Sequence, residues 1–257
     1  MLRPRIIPFL LLNHDYLDKT VKFSNPKYIG DPLNAVKIFN EKHADELAII
    51  DYEASNLNKE INFELLKDIA EQSRMPISYG GGINSLDQAE RLINYGIEKV
   101  CISSSAFQNP NLCTELANKF GSQSIVVVLD VKRDFLGNYQ IFINRGKNKV
   151  SNDVIKEIEK FSDLGAGEIV INNIDRDGTM NGYDLKLAKN CYEASQIPIT
   201  FLGGAKSHED ISKLIKETGT VGCGAGSIFV FKGKYRAVLI NYPSVEQKLK
   251  INDNIDK

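Results

Sequence analysis

The chain has 257 residues, of which 42% are hydrophobic and 25% charged, with a formal net charge of -1. That composition suits a globular protein with a substantial core, and it excludes an electrostatic case for nucleic acid or a membrane surface as partner. The four cysteines, Cys101, Cys113, Cys191 and Cys223, show no C-x-x-C pairing and no histidine at ligand spacing. Neither a zinc site nor a disulfide framework is expected, and the chain reads as a cytoplasmic protein without metal or cofactor.

Arg5–Leu12 opens the chain with a short apolar run. It contains Pro8 and lacks a small-residue cleavage site, so it reads as a buried strand and not as a signal peptide. No run reaches transmembrane length, and no membrane insertion is expected. Helix Pro32–Lys42, strand Glu46–Asp51, helix Asn62–Gln72, strand Ile77–Tyr79, helix Leu86–Tyr95 and strand Val100–Ser103 follow. Helix Asn111–Phe120 then leads to strand Ser124–Asp130. Lys132–Lys149 interrupts the series with a hairpin-like piece, Tyr139–Ile143, over the mouth. Helix Ser151–Leu164, strand Glu168–Asn172, helix Leu185–Ala194, strand Ile199–Leu202, helix Ser207–Glu217 and strand Val221–Gly224 complete it. Ser85 and Ser207 are the expected N-caps, while His14, His43 and His208 read as surface or loop residues.

Most of these eight strands are unbroken apolar runs, as strands buried on both faces require. Serial βα units point to a single-domain α/β fold, a (β/α)8 TIM barrel over residues 1–240, with an open doubly wound sheet as the alternative. Residues 241–257 read as a polar, frayed C-terminal tail. The chain also repeats itself by halves: Gly82 and Phe107 recur as Gly204 and Phe229 at one constant spacing. In that register Leu11 stands opposite Asp130, so a site with room for two facing carboxylates holds one.

Glycines follow the third, seventh and eighth strands: Gly80-Gly81-Gly82, Gly203-Gly204 and Gly224-Ala225-Gly226-Ser227, the last leading into a short helix at Ile228–Val230. Amides freed of side chains near a helix start cradle phosphate, and barrels place such sites after strands seven and eight. Asp177-Gly178 after the sixth strand belongs with the second-half group, and Ser103-Ser104 after the fourth strand belongs with the first-half group. Asp51-Tyr52-Glu53-Ala54-Ser55 and Asp175-Arg176-Asp177-Gly178-Thr179 are repeat counterparts, with Asp51 and Asp175 expected to organise their loops. Two such cradles suit a ligand with a phosphate at each end.

RIIPFLL, Gly30-Asp31-Pro32, Asp45-Glu46-Leu47, GGGI, Lys99-Val100, Phe120-Gly121-Ser122-Gln123, LDVKR, GAGEI, IDRDGT, GYD and GGA together resemble the cyclase subunit of imidazole glycerol phosphate synthase, from about Leu2 to about Phe231. The resemblance implies a barrel that takes ammonia from a glutaminase and closes an imidazole ring on a bisphosphorylated substrate. It implies two catalytic aspartates, one falling on Asp130 and the other on Leu11, with Lys19 retained and the family's asparagine replaced by Ser103. It also implies an ammonia gate at the barrel floor, Arg5, Glu46, Lys99 and Glu168, all kept, and a glutaminase interface that includes Glu98 and Gln123. A leucine neither gives nor takes the proton that ring closure moves.

The chain therefore resembles most closely the divergent cyclase-like branch that works beside a glutaminase and an ATP-dependent amidotransferase. That branch helps convert acetamido to acetamidino groups on surface-polysaccharide sugars, and the ligand would be a phosphorylated small molecule or nucleotide sugar. Two other roles stand beside this one. One is a genuine cyclase in which Lys19, Asp51 or Asp15 replaces the missing acid. The other is a non-catalytic scaffold that activates a glutaminase.

Overall fold

A computed structural model describes residues 3–54 and 60–252. Eight parallel strands form its centre: β1 (Arg5–Asn13), β4 (Leu47–Asp51), β5 (Ile77–Gly80), β6 (Lys99–Ile102), β7 (Ile125–Arg133), β10 (Glu168–Asn173), β11 (Ile199–Leu202) and β12 (Gly222–Ala225). They hydrogen-bond in that order, and β12 returns to β1 with Arg5 beside Gly222. The ring is closed, so the barrel and not the open sheet is the fold. Each expected strand lies within two or three residues of an observed one at either end.

The strands sort their side chains by alternation. Ile7, Phe9, Ala48, Cys101, Val126 and Val170 point inward and pack together, with Ile50, Val128 and Leu202 above them. Ile6, Leu10, Leu12, Leu47 and Ile49 point outward into the layer of helices. Those helices are α1 (Pro32–Glu41), α2 (Phe63–Gln72), α3 (Leu86–Asn94), α4 (Ser104–Gln108), α5 (Asn111–Phe120), α6 (Val154–Asp163), α7 (Leu185–Ala194), α8 (His208–Thr218), α9 (Ser227–Val230) and α10 (Val245–Asn252). Asp31 caps α1 through the Asn34 amide at 2.7 Å, with Pro32 in the first turn. Ser85 caps α3, its Oγ accepting from the Gln88 amide at 3.4 Å.

Four features depart from the sequence reading. Ser207 occupies the N-cap position of α8 but makes no capping bond; Asp210 instead turns back and accepts from the Lys206 amide at 2.9 Å. Helix α6 starts at Val154 and not at Ser151, because Ser151 ends a strand and Asp153 is the cap. A hairpin, β2 (Tyr16–Val21) and β3 (Ser24–Gly30), follows β1 and folds back on it with Leu11 opposite Asp18. The C-terminal segment is not frayed over residues 241–252. Tyr242 is buried, its hydroxyl donates to the Ile6 carbonyl at 2.8 Å, and α10 buries Ile251 and sends Lys248 to Asp45 at 2.7 Å.

The expected insertion is a true hairpin, β8 (Tyr139–Ile143) and β9 (Asn148–Ser151), laid antiparallel on β7. A last small ribbon, β13 (Phe231–Lys232) and β14 (Ala237–Val238), follows α9. Among the described residues, no helix is long and apolar enough to cross a membrane.

Candidate active site at the barrel mouth

The C-terminal ends of the strands surround a cavity of about 120 Å³. Its floor is apolar, from Phe9, Leu11, Ile50, Val128 and Leu202. Among the described residues, three carboxylates line the cavity, Asp51, Asp130 and Asp177. Asp130, at the inward-facing end of β7, is 9% exposed and accepts from Asn172 Nδ2 at 2.7 Å. Burial pushes its carboxyl up to about 7; the Asn172 hydrogen bond opposes this, and the charge of Asp177 adds to it. A carboxyl poised there gives and takes protons at neutral pH. Leu11 lines the same cavity, so the surface facing Asp130 carries no second acid at that position.

Both glycine groups reach the mouth. Gly81, Gly82, Ser103 and Ser104 line the main cavity. Asp177, Gly178, Gly203, Gly204, Gly226 and Ser227 line a smaller adjoining hollow together with Lys19. The two spaces meet at Lys19, Asp177, Leu202 and Gly226. Lys19 is delivered by β2, is buried, and donates to Asp177 Oδ1 and to the Thr20 carbonyl, each at 2.9 Å.

Gly178 shows why glycine is needed there. Its φ is +72°, and a Cβ would lie 2.4 Å from the Thr20 carbonyl oxygen on the hairpin. Gly178→Ala is expected to cost about 2 kcal/mol or more. It should also loosen the hairpin, so that the Lys22 amide, which donates to the Asp177 carbonyl at 3.1 Å, exchanges faster with deuterium. Unchanged exchange at Lys22 would show that the contact is not what holds the hairpin down.

Asp51 organises its own loop, whereas Asp175 ties its loop to β7 and Asn173 Oδ1 accepts the loop amide of Arg176 at 3.2 Å. Asp51 Oδ1 accepts from the Glu53 and Ala54 amides at 3.1 and 3.0 Å, and Asp175 Oδ2 accepts from the Arg133 amide at 2.8 Å. Ser55, at the end of the first-half loop, lies outside the described residues. Asp15 sits exposed in the β1–β2 turn and is not among the residues lining the cavity.

The opposite end of the barrel is closed by charge. Arg5 donates to Glu46 and, at 2.7 Å, to Glu168 Oε1. Lys99 Nζ lies 2.9 Å from both Glu46 Oε1 and Glu168 Oε2, and Thr200 donates to Glu168 at 2.6 Å. The four expected gate residues thus form one alternating ring. Burial alone would raise the Glu168 carboxyl; Arg5, with Lys99 and Thr200, outweighs it and holds the group at about 2. Burial would lower Lys99, but Glu168 and Glu46 raise it.

Directly inside the ring is a hollow of about 10 Å³, bounded by Glu46, Glu168, Ser78, Thr200, Ile7, Phe9, Cys101, Val126 and Val170. Phe9 and Cys101 also line the mouth cavity, so two side chains separate the spaces. Glu98 and Gln123 are exposed at the starts of β6 and β7, on the same face as the ring.

Sequence reasoning missed Asn172 and Arg145. Asn172 follows Glu168 and Val170 at the inward spacing of β10, so strand alternation could have found it. Arg145 lines the mouth from the β8–β9 turn, and its partners Glu53 and Phe23 are far away in sequence, with no local signal.

The profile of a family described as "Histidine biosynthesis protein" matches residues 5–236. A Vibrio vulnificus protein provisionally named imidazole glycerol phosphate synthase subunit hisF3 is 51% identical over 251 residues, 97% of this chain and 96% of its own. A Leptospira borgpetersenii protein provisionally named as subunit HisF of the same synthase is 50% identical over 249 residues, 96% of this chain and 98% of its own. The Pseudomonas aeruginosa hisF2 protein, provisionally named in the same way, is 44% identical over 247 residues, covering 96% and 98%. Kinship of that extent, along nearly the full length of both partners, leaves one conclusion: the chain belongs to the histidine biosynthesis protein family, in its branch of HisF-like cyclase subunits.

Proposed function

We propose that the chain receives ammonia from a glutaminase docked beneath Arg5, Glu46, Lys99 and Glu168. It passes the ammonia along the barrel axis for amidination of a sugar, an acetamido group becoming an acetamidino group on a surface-polysaccharide precursor. An ATP-dependent amidotransferase supplies the activation, and the work takes place in the cytoplasm. One observation carries the reading: the ring and the hollow inside it are intact, while the residue that should oppose Asp130 is Leu11. The hollow is about the size one small molecule needs. Burial, ahead of the charges of Glu168 and Glu46, pushes the Cys101 thiol up to about 12, so the step between hollow and cavity is uncharged, as neutral ammonia requires.

The glycine cradles suit a phosphate-bearing acceptor such as a nucleotide sugar. Glu98 and Gln123 would face the glutaminase. The names hisF2 and hisF3 carried by two relatives fit a chain that stands beside an ordinary first copy. A second reading, a working cyclase of histidine synthesis, is favoured by Asp130 near neutrality and by the paired cradles.

The test is turnover with ammonia and the bisphosphorylated cyclase substrate. The wild-type chain is expected to form no imidazole product, and steady turnover sinks the amidination reading. Co-purification with the glutaminase is expected for wild type and lost in Glu98→Lys; equal recovery counts against docking on this face.

A further inference from the structure

The half repeat extends to the two hairpins over the mouth. Hairpin β2–β3 follows β1, the first barrel strand; hairpin β8–β9 follows β7, the fifth. Each sends one cation across the mouth to the other half. Lys19 reaches Asp177 on the loop after β10. Arg145 reaches Glu53 on the loop after β4. Glu53 and Asp177 are themselves repeat counterparts in sequence, each two residues beyond an aspartate, Asp51 or Asp175. The two ion pairs are therefore one device built twice.

Lys19 stands among the glycines of the second-half hollow. Arg145 shares the main cavity with Gly81, Gly82, Ser103 and Ser104, and the amide of its neighbour Asn144 donates to Ser104 Oγ at 3.3 Å. Arg145 is held from three sides: Nη1 donates to Glu53, Nη2 to the Phe23 carbonyl, and the guanidinium lies 5.0 Å from the centroid of the Tyr52 ring. Its Nε is buried without a hydrogen-bond partner, and so is Ser103 Oγ. Two residues that line one cavity with Gly81 and Gly82 thus each hold a buried donor without a partner, and an oxyanion satisfies such donors.

We propose that Arg145 is the anion-binding cation of the first-half cradle, the counterpart of Lys19 in the second, and that the ligand places a phosphoryl group against Arg145, Ser103 and Ser104. This rests on the phosphate reading of the cradles given above. It adds a residue that fixes which end of a two-headed ligand meets a guanidinium, through its unpartnered Nε, and which meets an ammonium.

The probe is inorganic phosphate, titrated into the full chain while amide resonances of the two cradles are followed separately. In wild type, Gly82 and Ser104 report the first cradle and Gly204 and Gly226 the second. Arg145→Gln is expected to weaken the first by about tenfold or more and to leave the second within about twofold. Lys19→Gln should do the reverse, and Arg145→Lys should keep most of the first-cradle affinity. First-cradle affinity unchanged in Arg145→Gln, or equal weakening at both cradles with the fold intact, overturns the proposal. Phosphate at the second cradle alone overturns it while sparing the second cradle's phosphate reading. Phosphate at neither sinks both, and in every case the ammonia route is untouched.

Discussion

Asparagine in place of Asp130 is expected to make the protein more stable at pH 8, by up to about 4 kcal/mol, while abolishing any proton transfer the mouth performs. The carboxyl is held at about 7 by burial, with Asp177 contributing. An unfolded aspartate titrates near pH ~4. Between those values the native state binds more protons than the unfolded chain, so stability falls as pH rises through the window and the loss is complete above it. Asparagine removes the buried charge, and its carbonyl still accepts from Asn172, which now donates to Asp130 Oδ1. Denaturant unfolding of both proteins at pH 5 and pH 8 tests this: the variant's advantage should grow with pH. A constant difference would show that the carboxyl is not desolvated as described.

Glu168→Ala works in the opposite sense, with an expected loss of about 3–5 kcal/mol at pH 7. Glu168 is 5% exposed and receives Arg5, Lys99 and Thr200, so truncation strands three donors at the barrel floor. The Arg5 side chain is 29% exposed, and water reaching it places the loss toward the lower end of that range. The pH dependence has its own sign. The folded carboxyl sits at about 2, below its usual range, so its contribution is present above about pH 4.5 and disappears as pH falls through about 2. Wild type and Glu168→Gln should therefore converge in stability on acidification. A loss below about 1 kcal/mol for Glu168→Ala would mean that the ring does not act as a unit.

The barrel was legible because its strands are buried on both faces. Runs such as Ser124–Leu129 or Glu168–Ile171 leave no polar alternation to confuse them with half-exposed strands. The β2–β3 hairpin was not, since Tyr16–Gly30 mixes Asp18, Lys19, Thr20 and Lys27 with few apolar residues. Its turn depends on Lys22 and Phe23 at positive φ, where glycine or asparagine would have been the signal. The C-terminal helix was hidden for a related reason: Ile251 does its burying, with Tyr242 buried just ahead of it, and a tail this polar shows no stripe.

Within the site, Gly81, Gly82, Gly178, Gly203 and Gly204 marked the turns at the mouth because each holds a positive φ that other residues rarely adopt. The half repeat set Leu11 against Asp130, whereas the ring was legible only through resemblance, since one charge per strand has no local pattern. Arg145 escaped both routes, its role being set by two loops that meet only in the folded mouth.

The seam between β12 and β1 bears on how the molecule is made. Arg5 pairs with Gly222, more than 200 residues later, and Tyr242 clasps Ile6 after that. At ribosomal speeds the first strand waits on the order of 10–40 s for its partner to be synthesised. Throughout that interval it carries an open edge, the kind of surface that pairs with neighbouring chains. Its repeat counterpart β7 meets β10 about forty residues on, so the second half can assemble while the first is still unsealed. Nascent chains on one messenger then hold matching half-barrels side by side. Slower initiation or lower temperature during expression should favour closure within a chain over exchange between chains.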